Sequence, residues 1–120
     1  MKPVARTVVL NVDDQDPQRY VKARDLQRGG FAVVDAQSGA QALQLVELHH
    51  PAVVLLDVQL PDRTGFEVAS LLTGNGAAVN VVLVSSRDCC DYGTLVEESG
   101  ASGFVPKGEL SGARIAALLR

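Results

Sequence analysis

The sequence predicts an α/β fold in which five parallel strands form one open, doubly wound sheet with helices on both faces. Three observations carry this. Five short apolar runs, Val8 to Val12, Phe31 to Val34, Val53 to Leu56, Val81 to Val84 and Phe104 to Val105, recur at near-regular intervals. They are rich in Val and lack polar alternation, which is how strands buried on both faces of a parallel sheet read. Each is followed by a segment of helical character, so the chain is βα repeated five times, and 120 residues are too few for an eight-stranded barrel. With right-handed crossovers, the strand order 2-1-3-4-5 is the one expected of such a sheet.

The elements have local causes. After the first run, Asp16 followed by Pro17 reads as an N-cap with proline at the first helical position, and Gly29-Gly30 ends the helix, predicted over Pro17 to Arg28. Ser38 caps a second helix that runs to Leu48 and stops at His49-His50-Pro51, the two histidines reading as helix-end or loop residues. Thr64 with Glu67 forms a capping box for the third. Gly93 interrupts the fourth, between Cys89 and Ser99, at a cost of about 1 kcal/mol relative to Ala. The fifth is predicted over roughly Leu110 to Leu119, with Leu110, Ala113, Ile115, Ala117 and Leu118 as its apolar positions.

Composition narrows the function. A chain of this length forms one domain, residues 1–120, and buries enough surface to fold without disulfides or a structural metal. The two cysteines, Cys89 and Cys90, are neighbours without a second ligand pair and read as helix-start residues, so a zinc module or a disulfide scaffold is excluded and a reducing cytoplasm is expected. No apolar stretch approaches the roughly 18 residues of a membrane span, and no export signal is expected. A net charge of −3 lacks the clustered basic face that phosphate neutralisation needs, which argues against direct nucleic-acid binding.

In an open parallel sheet the ligand site lies beyond the carboxyl ends of the strands. There the first run ends in Asp13-Asp14, the third in Asp57, the fourth in Ser85-Ser86 and the fifth in Lys107. Asp35, ending the second, falls at the sheet edge and is set aside. Carboxylates converging on one crevice repel by about 4 kcal/mol per pair at 4 Å and an effective dielectric of 20. Lys107 supplies one compensating charge and a divalent cation two, and oxygen ligands select Mg²⁺, or Mn²⁺, over Zn²⁺. Carboxylate, lysine, hydroxyl and hard cation together suit phosphoryl transfer, with one carboxylate as the nucleophile.

These residues resemble the receiver domain of bacterial two-component response regulators, a CheY-like, flavodoxin-like fold. The matching motifs span the chain: Val12-Asp13-Asp14, Leu55 through Gly65 around Asp57, Val82-Leu83-Val84-Ser85-Ser86, and Gly103-Phe104-Val105-Pro106-Lys107. The resemblance implies that Asp57 accepts a phosphoryl group from a sensor histidine kinase or phosphotransfer protein. It implies that Asp14, Asp57 and the backbone carbonyl of Gln59 ligate Mg²⁺, with Asp13 acting through bound water. Lys107 and Ser85 would contact phosphoryl oxygens, Ser86 would shape access, and Phe104 would be the switch aromatic. The fourth helix, fifth strand and fifth helix would form the face that controls an effector domain or protein, and a homodimer through that face is a further implied partner.

The chain departs from the family pattern at Gly108, where many members have proline, so a trans bond after Lys107 is expected. That form is similar to LuxR- and NarL-type receivers. Gln59 and Arg87 stand where members tune phosphoaspartate hydrolysis. Two other readings compete: a pseudo-receiver that keeps the fold without the chemistry, and a small Mg²⁺-dependent aspartyl phosphatase. The second needs an acid where Gln59 stands and a cap segment.

Overall fold

The computed structural model describes residues 7–74, 79–87 and 89–118, with the side chains of Cys89 and Cys90 outside the description. Its sheet contains β1 (Val8–Val12), β2 (Ala32–Ala36), β3 (Val53–Asp57), β4 (Asn80–Ser85) and β5 (Gly103–Pro106). All pairs are parallel and the order is β2-β1-β3-β4-β5, the doubly wound order predicted. Between them run α1 (Asp16–Arg28), α2 (Gly39–His49), α3 (Gly65–Gly74), α4 (Leu95–Glu98) and finally α5 (Gly112–Leu118).

Alternation along the strands divides the core in two. Leu10, Val12, Val54, Leu56, Val81 and Leu83 point to the side covered by α2 and α3, where they meet Ala42, Val46, Val68, Ala69 and Leu72. Val9, Val53, Leu55, Val82, Val84 and Val105 point to the opposite side and meet Leu26 of α1 and Ile115 of α5. Burying each such side chain is worth about 1.5–3 kcal/mol, and the buried Asn11 of β1 is accommodated by donating to the Arg19 carbonyl and to Asp35 Oδ1. On this second side α1 and α5 approach closely. A Cβ on Gly29 would lie 3.1 Å from the Gly112 Cα, so any side chain there would require the two helices to give by a few tenths of an ångström.

The helix starts bear out two expectations and correct three. Ser38 caps α2, its Oγ accepting the Gln41 N–H at 3.1 Å, and Thr64 Oγ1 accepts the Glu67 N–H at 3.2 Å. Glu67 folds back onto the Thr64 hydroxyl, so the box closes through side chains. The N-cap of α1 is Gln15 and the helix includes Asp16, whose carboxylate instead pairs with Arg19 one turn on. The fourth helix is a single turn, preceded by a 3₁₀ turn at Cys89–Tyr92. Gly93 adopts φ +60° between them, and a left-handed residue ends one helix rather than interrupting it. The fifth helix begins at Gly112, two residues late, because Lys107–Glu109 forms its own 3₁₀ turn and Ser111 Oγ accepts the Arg114 N–H. The predicted last residue, Leu119, lies outside the described residues. No described peptide bond is cis, so the bond after Lys107 is trans.

Candidate functional site

Asp57 ends β3 and is 5% exposed. Its Oδ2 accepts from Lys107 Nζ at 3.1 Å, and its Oδ1 accepts the Gln59 N–H at 3.2 Å. Burial pushes its carboxyl above the ordinary range, opposed by the Lys107 hydrogen bond and charge and by the Gln59 N–H. The loop beyond it is held by Gly65, whose N–H donates to the Val58 carbonyl at 2.7 Å. A Cβ on Gly65 would sit 2.4 Å from the Asp57 carbonyl oxygen, so the glycine is a steric requirement of the acid's own backbone.

The other predicted residues arrive from neighbouring strand ends. Asp14, Gln59, Ser85, Ser86 and Lys107 line, with Asp57, one cavity of about 460 Å³. Lys107 is also tied to Gln18 Oε1 of α1 at 2.7 Å. Ser85, 5% exposed, accepts the Arg87 N–H at 3.1 Å and shares a hydrogen bond with the Tyr92 hydroxyl. Phe104 does not reach the cavity. It stacks at a tilt on Tyr92, ring centroids 6.0 Å apart, while Tyr92 meets Phe66 edge-on at 5.2 Å.

Asp13 is fully buried and behaves unlike Asp14. Its Oδ1 accepts the Gln15 N–H at 2.9 Å, and its Oδ2 lies 3.0 Å from Lys22 Nζ. This is an ionic contact without an aligned hydrogen bond, since both atoms lack a hydrogen-bond partner. Burial lowers the Lys22 pKa, opposed by the charge of Asp13 and its hydrogen-bonding capacity. One oxygen from each of Asp13, Asp14 and Asp57 lies within 4.8 Å of the others, a hard donor set that suits Mg²⁺ or Mn²⁺.

Sequence reasoning passed over three residues of this region. Lys22 sits on the buried side of α1 with Ala23 and Leu26, so its position in the helical phase was the available signal. Tyr92 gave no signal, because it sits in a separate 3₁₀ turn where the sequence reads as one continuous helix. Asp62, in the loop after β3, reaches back to α2, where its carboxylate accepts the Gly39 and Ala40 N–H groups, each at 2.9 Å. Those two hydrogen bonds hold its pKa below the ordinary range.

Comparison with known proteins gives consistent relatives. Residues 9–119 match the profile of the response regulator receiver domain. The response regulator MprA of Mycobacterium sp. (strain KMS) is 34% identical over 115 residues, covering 93% of this chain and 50% of that protein. The chain thus spans about half the length of the curated relatives it matches. The receiver domain of the putative response regulator NarL from Mycobacterium tuberculosis superposes with a TM-score of 0.84 at 30% identity, covering 94% of this chain and 96% of that one. A LuxR-family response regulator from Staphylococcus aureus, 23% identical, shares the fold with a TM-score of 0.86, covering 95% and 99%.

Proposed function

This chain belongs to the response regulator receiver domain family of two-component systems, and from that membership we infer that Asp57 is its phosphoryl acceptor. The observation that supports this most is the convergence of Asp57, Lys107 and Ser85 on one cavity from three separate strand ends. A carboxylate oxygen of Asp57 attacks the phosphorus of a phosphohistidine on a sensor kinase or phosphotransfer protein. The P–N bond breaks, and the departing imidazole keeps the electron pair and takes a proton. Lys107, already bonded to Asp57, transfers its hydrogen bond to a phosphoryl oxygen, and Ser85 donates to another.

Asp14, Asp57 and the Gln59 carbonyl would hold Mg²⁺, or Mn²⁺, with Asp13 one water further out. When bound, the ion neutralises charge on the phosphoryl oxygens. Ser86, exposed at the cavity mouth, sets the width of access to Asp57. Turning Ser85 toward the phosphoryl group takes it from Tyr92, and Phe104 packs against that ring, so the local charge event reaches the α4, β5, α5 face. That face would control an effector domain or protein, and serve any homodimer. The reading makes the chain a cytoplasmic switch that turns over no external substrate.

The test is incubation with acetyl phosphate, with and without Mg²⁺, read by intact mass. We expect one added phosphoryl group in the wild-type protein and none in Asp57→Asn. Modification of the variant, or none of the wild type, overturns the assignment, and turnover of a small phosphate ester favours the phosphatase reading.

A further inference from the structure

Lys22 is the cation that the acidic cluster did not need by the reading above. It lies in the second turn of α1, 7% exposed, between the residues that pack α1 on the sheet. Its ammonium stands 3.0 Å from the fully buried Asp13 Oδ2, while the other oxygen of Asp13 is taken by the Gln15 N–H. Asp13 therefore faces a cation of the protein's own before any ion arrives. Lys22 also feels Asp57 and Lys107 directly, attracted by the first and repelled by the second.

The charge count changes as a result. Asp13, Asp14 and Asp57 with Lys107 alone leave the cluster at minus two, the charge that one divalent ion balances. With Lys22 the free cluster stands at minus one. Phosphorylation of Asp57 replaces a monoanion by a dianion and restores minus two. We propose that Lys22 is a resident counter-ion that offsets the charge of Asp13 at the divalent-cation site, so that the free domain binds Mg²⁺ weakly and the phosphoryl group and the ion enter together.

This rests on the metal reading of the cluster given above and adds a residue that decides its affinity. Lys22 acts through Asp13 and through its own charge, and is a positioning residue. A divalent and a monovalent cation about 6 Å apart repel, even at the dielectric of water, by enough to weaken binding about tenfold. Removing the ammonium also leaves the charge of Asp13 uncompensated, which favours the ion further.

The experiment uses the full chain as wild type, Lys22→Met and Lys22→Gln, with folding checked by circular dichroism. Mg²⁺ is titrated by calorimetry and by amide chemical shifts, without and with beryllofluoride as the phosphoryl analogue. We expect either neutral variant to bind Mg²⁺ about tenfold more tightly than wild type in the absence of beryllofluoride. The gain in Mg²⁺ affinity on adding beryllofluoride should be smaller in the variants than in wild type. Equal or weaker Mg²⁺ binding by a folded variant overturns the proposal and leaves the metal site standing. Loss of folding in both variants assigns Lys22 to stability alone and also overturns it. Absence of Mg²⁺ binding in all three proteins, with or without beryllofluoride, overturns the metal reading itself.

Discussion

Replacing Tyr92 by Phe removes one oxygen atom from the cavity wall and isolates the hydroxyl contact to Ser85. The ring stays, with its edge-on contact to Phe66 and its tilted contact to Phe104. Ser85 Oγ is not orphaned, because it still accepts the Arg87 N–H at 3.1 Å. The loss is therefore one net hydrogen bond, about 1 kcal/mol, without the added penalty of an unsatisfied buried group. For a domain of this size that lowers Tm by about 4 °C. A thermodynamic cycle then fixes a second observable. If Ser85 must leave Tyr92 to reach a phosphoryl oxygen, the same 1 kcal/mol no longer opposes binding, and the affinity for beryllofluoride with Mg²⁺ rises about fivefold. The two measurements are a thermal melt of the free protein and a beryllofluoride titration followed by fluorine NMR. A lower Tm with unchanged affinity refutes the reasoning, since the two hydroxyls would then stay bonded in both states. A loss of affinity refutes it differently, by placing the Tyr92 hydroxyl on the ligand.

Three further outcomes follow from the same geometry. Asp57→Asn should stabilise the protein in chelator-containing buffer at pH 7 by on the order of 1 kcal/mol, read as a higher Tm, because the folded state holds a desolvated carboxylate there. With its folded pKa raised, ionised Asp57 destabilises the protein above that pKa; the penalty fades as pH falls through it, so the advantage of the variant should shrink in melts at lower pH. Gly65→Ala should cost about 3 kcal/mol or prevent folding, since the new Cβ meets backbone atoms at 2.4 Å and 2.9 Å that cannot give way, and urea denaturation reads this directly. Asp62→Ala should cost about 1 kcal/mol by uncapping two N–H groups of α2. Because the folded pKa of Asp62 is lowered, its stabilisation is present above the ordinary carboxylate range and lost as pH falls through the lowered value, so wild type and variant should converge in acid.

Much of the sheet was legible because its causes are local. A strand buried on both faces is mostly apolar, with Asn11 of β1 the exception, and the charged or hydroxylic residue that follows it marks the rim of the sheet. That rule places Asp13, Asp14, Asp57, Ser85 and Lys107 before any contact is known. Helix starts with a capping hydroxyl, Ser38 and Thr64, were equally local. What escaped depends on contacts distant in the chain. Asp62 caps a helix 22 residues earlier, which no spacing rule records. Helix four shrank to one turn because Gly93 adopts a left-handed conformation, a backbone choice that a helical pattern does not display. Asp16 lost its cap role to a side-chain pair with Arg19, where two uses of one carboxylate competed.

Tyr92 and Phe104 show why the switch assignment needs a chain of contacts and not one residue. Phe104 has no polar atom, and its ring lies behind Tyr92 as seen from the cavity. On its own it can respond to space but not to charge. Tyr92 has both properties: its hydroxyl bonds Ser85 at the cavity, and its ring fills the gap between Phe66 of α3 and Phe104 of β5. Two packings that exchange one hydrogen bond for another differ by about the strength of one such bond. That gap is small enough for a dianion arriving beside Ser85 to reverse it. On the proposed reading Phe104 would then move with its neighbour. A Phe104→Leu variant should therefore leave beryllofluoride affinity within about twofold of wild type while abolishing the chemical-shift response of β5 and α5, the division expected of a residue that transmits the signal without sensing it.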